Sequence, residues 1–400
     1  MIHMGLTQYP RMDYHWIKTP LYTCNFCQNI MKKREFFLLH GFLHYADNTI
    51  ANNDDKLFKV RKLFLLLTAR FQRFYIPNRE LTIDERIVKY TGRLSFLQFI
   101  RSKPTPWGIK VFVLADASSG YVYNWKVYTG AENNNRRNTA HNVVIELISG
   151  LEGRGHVLYH DSYYSYYNTV RFLAENDIGS VGTLNKNRRG ISPDIKKLER
   201  SFARGGTIFR KSGNILTLVY RDKKDVRLIS SIHGAQLSQN SQPQALIDYN
   251  RYARGVDLSN QLISNYKNNH RSIKWYKTLA LSFLETTIVN SYQLYKHREP
   301  FNLKSHLKFR EDLVSELAQD YIDELTISRM RQSNLRIIPG LHRIGRRTQR
   351  RCCVCSTDET KKTSIYYCVE CDENVCIIDC YFLLHTRVQI HSRNKERNLQ

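Results

Sequence analysis

Leu81-Thr82-Ile83-Asp84-Glu85-Arg86-Ile87 is a short β-branched run with an acid pair at its middle. Aspartate is depleted in strands, so an acid there needs a reason. Strand alternation puts Leu81 and Ile83 on one face and Thr82 and Asp84 on the other, which aims Asp84 at a fixed point beside a sheet. A strand is a rigid mount for a metal ligand. Taken alone, the same pattern also fits a solvated edge strand.

The residues that follow extend the pattern. A basic loop, Arg101-Ser102-Lys103-Pro104, leads to an apolar strand at Ile109 to Ala115, a turn at Ser118-Ser119-Gly120 and an alternating strand from Tyr121 to Tyr128. Asn138 or Thr139 can cap a helix with Val144, Leu147, Ile148 and Leu151 on one face, ended by Gly150 and Gly153. A strand at His156 to His160 has Asp161 at its C-terminal end. Tyr166, Val170 and Leu173 mark a second helix, and Gly179 to Leu184 a fifth strand that runs into Lys186-Asn187-Arg188-Arg189-Gly190. The order β-β-β-α-β-α-β, with one acid on the first strand and another at the end of the fourth, predicts an RNase H-like α/β core over residues 81–190.

Residues 1–80 read as helical, with Phe36 to Leu39, Phe42 and Leu43 followed by Leu57, Val60, Phe64, Leu67 and Phe71 at helical spacing around a loop at Asn48 to Asp55. Residues 191–249, with strands at Thr217 to Tyr220 and Val226 to Ser230, read as a β-rich insertion. Residues 250–265 return to helix around Asp257, and 266–335 continue it, with Leu281, Leu284, Ile288, Ser291 and Tyr295 as one stripe. Residues 336–351 form a basic linker with Arg336, Arg343, Arg346, Arg347, Arg350 and Arg351, suited to a tether, a nuclear localisation signal or DNA backbone contact.

Lysine and arginine number 61 against 36 acids, a formal charge of +25 that suits a polyanion. Nucleic acid is the leading partner and an anionic membrane surface the second. An apolar fraction of 42% with 12% aromatics describes a folded chain, and 400 residues bury more than one core. No apolar run approaches the length of a membrane span, the longest being Leu63 to Ala69 and Ile109 to Ala115. Met1 to Trp16 has no continuous apolar stretch of the signal-peptide kind, so the cysteines are expected in a reducing compartment.

Seven of the nine cysteines follow residue 351, which argues for metal over disulfides. Cys352-x-x-Cys355, twelve residues, then Cys368-x-x-Cys371 is the spacing with which four sulfurs close around one Zn²⁺. Cys376, Cys380 and His385 predict a second zinc, with Cys353, His391 or water in its fourth position. Both are expected to be structural, since no acid stands by for general base work, and residues 352–392 form a zinc module. Cys24 and Cys27 are a lone C-x-x-C with no second pair nearby, and read as two buried core thiols.

Thr82-Ile83-Asp84-Glu85, His160-Asp161-Ser162-Tyr163-Tyr164-Ser165 and Arg254-Gly255-Val256-Asp257, in this order, resemble the three acidic motifs of piggyBac-like DDE transposases. Phe42 to Asn48, Arg70-Phe71-Gln72, Lys103-Pro104 through Gly108-Ile109-Lys110, Val181 to Leu184, Lys274-Trp275 and the terminal cysteine module are similar to that family as well. The resemblance implies an RNase H-like catalytic core flanked by a helical dimerisation and DNA-binding domain, assembled from residues 1–80 and 266–335. It implies that Asp84, Asp161 and Asp257 hold two Mg²⁺ ions for strand cleavage and joining at TTAA, in the nucleus, with double-stranded DNA as substrate and a homodimer as the working form.

Arg101, Lys103, Lys110, Lys186, Arg188 and Arg189 are candidates for phosphate contacts near that core. Two departures from the family stand out. Many members have a fourth acid three residues after the third, where this chain has Asn260, a neutral and weaker Mg²⁺ ligand. Members also usually carry an acidic segment ahead of the region where this sequence begins. Both leave open a second reading, a domesticated nuclear DNA-binding protein that kept the fold and lost the reaction.

Overall fold

The computed structural model describes all residues except 20, 23, 51–53, 102, 104, 131–138, 189–194, 196–202, 269–271, 300, 302, 333–342, 358, 378–379 and 387–400. Two compact units are present: Met1–Cys24 with Lys33–Val314, and Asn25–Lys32 with Ser315–Gln400.

The first unit opens with short helices, α1 (His3–Leu6) and, past a 3-10 turn at Met12–Trp16, α3 (Lys33–Phe42) and α4 (Arg61–Phe74); α2 (Asn25–Ile30) is counted with the second unit. The sheet then begins with β1 (Glu80–Lys89), β2 (Gln98–Phe99), β3 (Trp107–Asp116) and β4 (Val122–Val127). It continues through α5 (Thr139–Ile148), β5 (Val157–His160), α6 (Tyr167–Glu175), β6 (Gly179–Thr183), β7 (Thr207–Ser212), β8 (Ile215–Arg221) and β9 (Asp225–Ser230). Four helices follow: α7 (Gln244–Tyr252), α8 (Gly255–Asn265), α9 (Trp275–Arg298) and α10 (His306–Gln332), the last running into the second unit.

All nine strands belong to one mixed sheet ordered β2-β3-β1-β5-β6-β9-β8-β7, with β4 also on β3. β5 is parallel to β1 and to β6, and the remaining pairs are antiparallel. Two expectations change here. β1 is a central strand between β3 and β5, which excludes the solvated edge. Residues 207–230, read as part of an inserted subdomain, continue the main sheet, because Val181 to Thr183 of β6 pair with Leu228 to Ser230 of β9.

Alternation along β1 then sorts the core. Leu81 and Ile83 pack with Phe112, Leu114, Val144, Leu147 and Leu173, on the face covered by α5 and α6. Val88, Val111, Val113 and Trp125 pack on the other face with Phe64 and Phe71 of α4 and Leu279 and Phe283 of α9. Trp275 belongs to this second cluster, edge-on to Phe96 with ring centroids 5.5 Å apart. Among the described residues no helix is long and apolar enough to cross a membrane.

Candidate active site and cysteine cluster

The parallel register pairs Ile83 of β1 with His160 of β5, so Asp84 and Asp161 are the next residues on adjacent strands. Asp161 begins the turn that leaves β5, where its Oδ1 accepts the Tyr163 N–H at 2.8 Å. Below it, buried His160 is clasped from both sides, with Ser180 Oγ 2.8 Å from Nε2 and Ser165 Oγ 2.9 Å from Nδ1. Burial pushes that imidazole down to about 4, so it is neutral. The Ser165 hydroxyl also donates to the Asp161 carbonyl at 2.9 Å. Gly182 has to be glycine beside this clasp: a Cβ there would lie 2.2 Å from His160 Cε1 and 2.5 Å from Ser165 Oγ. Gly182→Ala is expected to cost about 1–3 kcal/mol in chemical denaturation and to shift the Asp161 turn. A variant as stable as the wild type would show that the clasp yields freely.

The third aspartate arrives on a helix pinned to the same face. Thr82 shares Asp84's face of β1, and its hydroxyl accepts the Val256 N–H at 3.1 Å. The preceding Gly255 lies so close that a Cβ would come within 2.7 Å of Thr82 Oγ1 and 2.6 Å of the Asp116 carbonyl oxygen. Asp257 therefore stands on the first turn of α8, exposed, on the side of the sheet where Asp84 points. Among the described residues, the three carboxylates do not gather within 4.8 Å of one another.

Charge around these acids is unbalanced. Burial and the neighbouring Glu85 push Asp84 up to about 7, and burial raises Asp161. Burial acts on Glu85 too, but Lys110 and Lys103 hold it below its ordinary range. Lys103 Nζ lies 3.8 Å from Asp84 Oδ2 and 3.4 Å from Glu85 Oε1, and Asp257 is near enough to favour its charge further. Tyr249 of α7 has its phenol on Thr183, and burial with the fields of Asp161, Asp84 and Asp257 raises it. Sequence reading missed this tyrosine; no periodic signal links α7 to β1, and only the fold brings it among the acids.

The basic candidates separate by environment. Lys103 is the counter-ion of the acid pair. Lys110 is buried, with Nζ 4.5 Å from the centroids of both the Phe112 and Tyr163 rings. Arg188 lies 4.0 Å over Tyr166 and donates to the Ser162 carbonyl, so it braces the turn after Asp161. Arg101 and Lys186 are exposed, and Arg189 lies outside the described residues.

Asn260 is engaged elsewhere. Its Oδ1 accepts from Arg86 Nε at 2.6 Å, while the same guanidinium donates to Thr286 Oγ1 at 2.7 Å and Ser259 Oγ at 2.9 Å. Arg86 is buried on three neutral oxygens, and burial pushes it down to about 10. Asn260→Asp is expected to raise stability by about 1–3 kcal/mol, since a charged acceptor strengthens that bond. A lower unfolding midpoint would mean that desolvating the new carboxylate outweighs the pairing.

Residues 1–292 match a DDE transposase family described as transposase IS4. The chain belongs to this family. It is 23% identical to human PiggyBac transposable element-derived protein 2 over 320 residues, 74% of this chain and 54% of that protein. It is 27% identical to human PiggyBac transposable element-derived protein 3 over 289 residues, 66% and 48% of the two chains. The chain thus spans about half the length of these curated relatives. A cryo-EM structure of a piggyBac transposase synaptic complex with hairpin DNA is similar in fold, with a TM-score of 0.75 and 22% identity over 94% of this chain and 84% of that one. The mixed sheet is thus similar in fold to that of the piggyBac transposase.

The second unit of this piggyBac-like chain contains β10 (Ile344–Arg351), β11 (Thr363–Cys368), β12 (Glu373–Asn374) and α11 (Cys380–Thr386). From Ile344 the expected basic linker is a strand paired with β11. Its arginines are used locally: Arg343 Nε pairs with Glu370 at 2.7 Å, Arg346 lies 5.1 Å over Tyr366, and Arg347 binds Asp372.

The cysteines group differently from the expected order. The sulfurs of Cys352, Cys355, Cys376 and Cys380 lie within 4.8 Å of one another. The β11–β12 hairpin is the cause: it turns the chain back so that the Cys353 N–H donates to the Asn374 carbonyl at 2.8 Å, setting Cys376 against the first knuckle. Cys368 and Cys371 stay together, the Cys371 N–H reaching Cys368 Sγ at 3.4 Å. The two sets therefore interleave along the chain. Burial opposes ionisation of Cys352, yet N–H groups of Cys355, Val354 and Cys376 bring it down to about 7. The His385 side chain and His391 lie outside the described residues.

Four sulfurs at this separation fit one tetrahedral Zn²⁺. Cys380→Ser is expected to remove one zinc per chain and the ordered signal of this module, as read by metal analysis and near-ultraviolet circular dichroism. Undiminished zinc would exclude Cys380 as a ligand.

Proposed function

We propose that the chain is a DNA strand-cleaving and strand-joining enzyme of piggyBac type, in which Asp84, Asp161 and Asp257 hold two Mg²⁺ ions. The observation that supports this most is the β1–β5 register, which makes Asp84 and Asp161 neighbours, together with the Val256 N–H bond to Thr82, which brings the first turn of α8 and Asp257 to the same face. The donor set fits the metal: the ligands are hard oxygens, and burial leaves Asp84 and Asp161 resisting ionisation until a cation offsets their charge. Bound Mg²⁺ would polarise the scissile phosphate and activate water or a 3′-hydroxyl for in-line attack.

The protein's own part is positioning. The His160–Ser165 clasp fixes the turn of Asp161, and the Thr82–Val256 bond keeps Asp257 on the face of Asp84. Lys103 balances the acid pair without metal and is near enough to meet a phosphate oxygen bound there. Arg101 and Lys186 are exposed cations that suit a DNA backbone. Terminal-repeat DNA, a TTAA target, a homodimer holding two ends, nuclear location and a structural zinc pair belong to the same proposal.

A DNA-binding protein without catalysis is the second reading. Asn260 favours it, since its oxygen serves Arg86 instead of a metal. Duplex DNA carrying the ends that flank this gene separates the two, with cleavage and binding read on one gel over a range of Mg²⁺ and Mn²⁺. Cleavage at the ends is the expected result. Salt-sensitive binding with no cleavage at any metal concentration overturns the enzyme reading.

A further inference from the structure

The amino-terminal segment has little regular structure to hold it: α1 has four residues and the 3-10 turn at Met12–Trp16 has five. Within it, the ligand atoms of His3, His15 and Cys24 lie within 4.8 Å of one another. His15 is fully buried and Cys24 nearly so. Two imidazoles and a thiol from three separate points of the chain thus share one spot.

The backbone around them is pinned. A Cβ on Gly5 would lie 2.1 Å from the Tyr266 carbonyl oxygen, so α1 can sit there only with glycine at that position. The Tyr9 ring lies 4.7 Å from that of His15. The Thr7 hydroxyl stands 3.4 Å from His3 Nδ1, the kind of partner that orients an imidazole whose other nitrogen binds metal. Thiolate and imidazole donors without a carboxylate select Zn²⁺.

We propose that His3, His15 and Cys24 hold a structural Zn²⁺ that fastens the amino-terminal segment, distinct in ligands from the cysteine cluster after residue 351. Cys24 and Cys27 are both buried thiols, as their spacing suggests, and the proposal gives Cys24 a metal besides. Zinc would supply folding energy that so short a segment cannot draw from apolar burial.

The test is alkylation of the full-length, zinc-loaded chain with N-ethylmaleimide, read residue by residue by mass spectrometry. Cys24 should be protected, become reactive on chelation, and regain protection when Zn²⁺ alone is restored. The same behaviour is expected in a chain carrying Cys352→Ser and Cys380→Ser. If chelation exposes Cys352 and Cys376 while Cys24 stays as it was, the site does not exist. A metal count gives an independent reading: His3→Ala with Cys24→Ser should bind one zinc fewer than the wild type. Equal counts overturn the proposal, and the labelling of the unmutated chain decides even where that variant folds poorly.

Discussion

Asp161→Ala should lower Mg²⁺-dependent cleavage by at least about a hundredfold, the size of losing one stabiliser of transition-state charge, and leave DNA binding within about twofold. The carboxylate is the first acid beyond β5, and its loss removes a hard ligand beside Asp84. Burial raises its pKa, so its charge costs the folded state free energy, and the variant should be at least as stable as the wild type. The clasp beneath it involves the Asp161 carbonyl, so the turn gives up only the Tyr163 N–H bond to the carboxylate and is expected to persist. Cleavage retained within tenfold would remove Asp161 from the reaction. Loss of cleavage together with a large fall in unfolding midpoint would point to a structural role instead.

Glu285→Gln should destabilise the first unit by about 3–5 kcal/mol, because it leaves a buried guanidinium without its counter-charge. Arg310 is fully buried, with Nη2 2.5 Å from Glu285 Oε2 and Nε 3.1 Å from His306 Nε2. Replacing both partners, as in Glu285→Leu with Arg310→Met, should cost less than either single change, since it removes the desolvation penalty along with the attraction. A double variant worse than both singles would refute this account. His306 adds a pH dependence, because burial and Arg310 push it down to about 4 from an unfolded value near 6.5. Its contribution is complete above pH 6.5 and is lost as pH falls toward 4, where unfolding takes up a proton. Urea titrations at pH 7.5 and 5 should show this loss, and His306→Gln should reduce it.

The sequence by itself determined the local frame. Two-residue alternation in Leu81 to Ile87 sorts its side chains between the faces because the strand period is two, and the structure keeps that sorting, with Leu81 and Ile83 on the face of α5 and α6. The helical stripe through Leu57, Val60, Phe64 and Phe71 likewise follows from a period near 3.6 residues and is buried, whereas on α9 the expected Leu281, Leu284, Ser291 and Tyr295 stay half-buried and Leu279, Phe283, Val289 and Tyr292 fill the core, with Ile288 the one expected position that is buried. The acidic motifs, each local in sequence, carried the family.

What spacing does not carry is which distant pieces meet, and there the tertiary structure decided. Strands 207–230 join the main sheet because β6 had a free edge for β9 to pair with, a long-range hydrogen-bonding fact with no local trace. Cys376 and Cys380 displace Cys368 and Cys371 beside the first knuckle because the hairpin reverses the chain between them. Asn260 turns to Arg86, 174 residues away, because a buried guanidinium needs acceptors wherever they come from. His3 and His15 reach Cys24 for the same kind of reason: packing across the chain gathers polar groups that no short pattern connects.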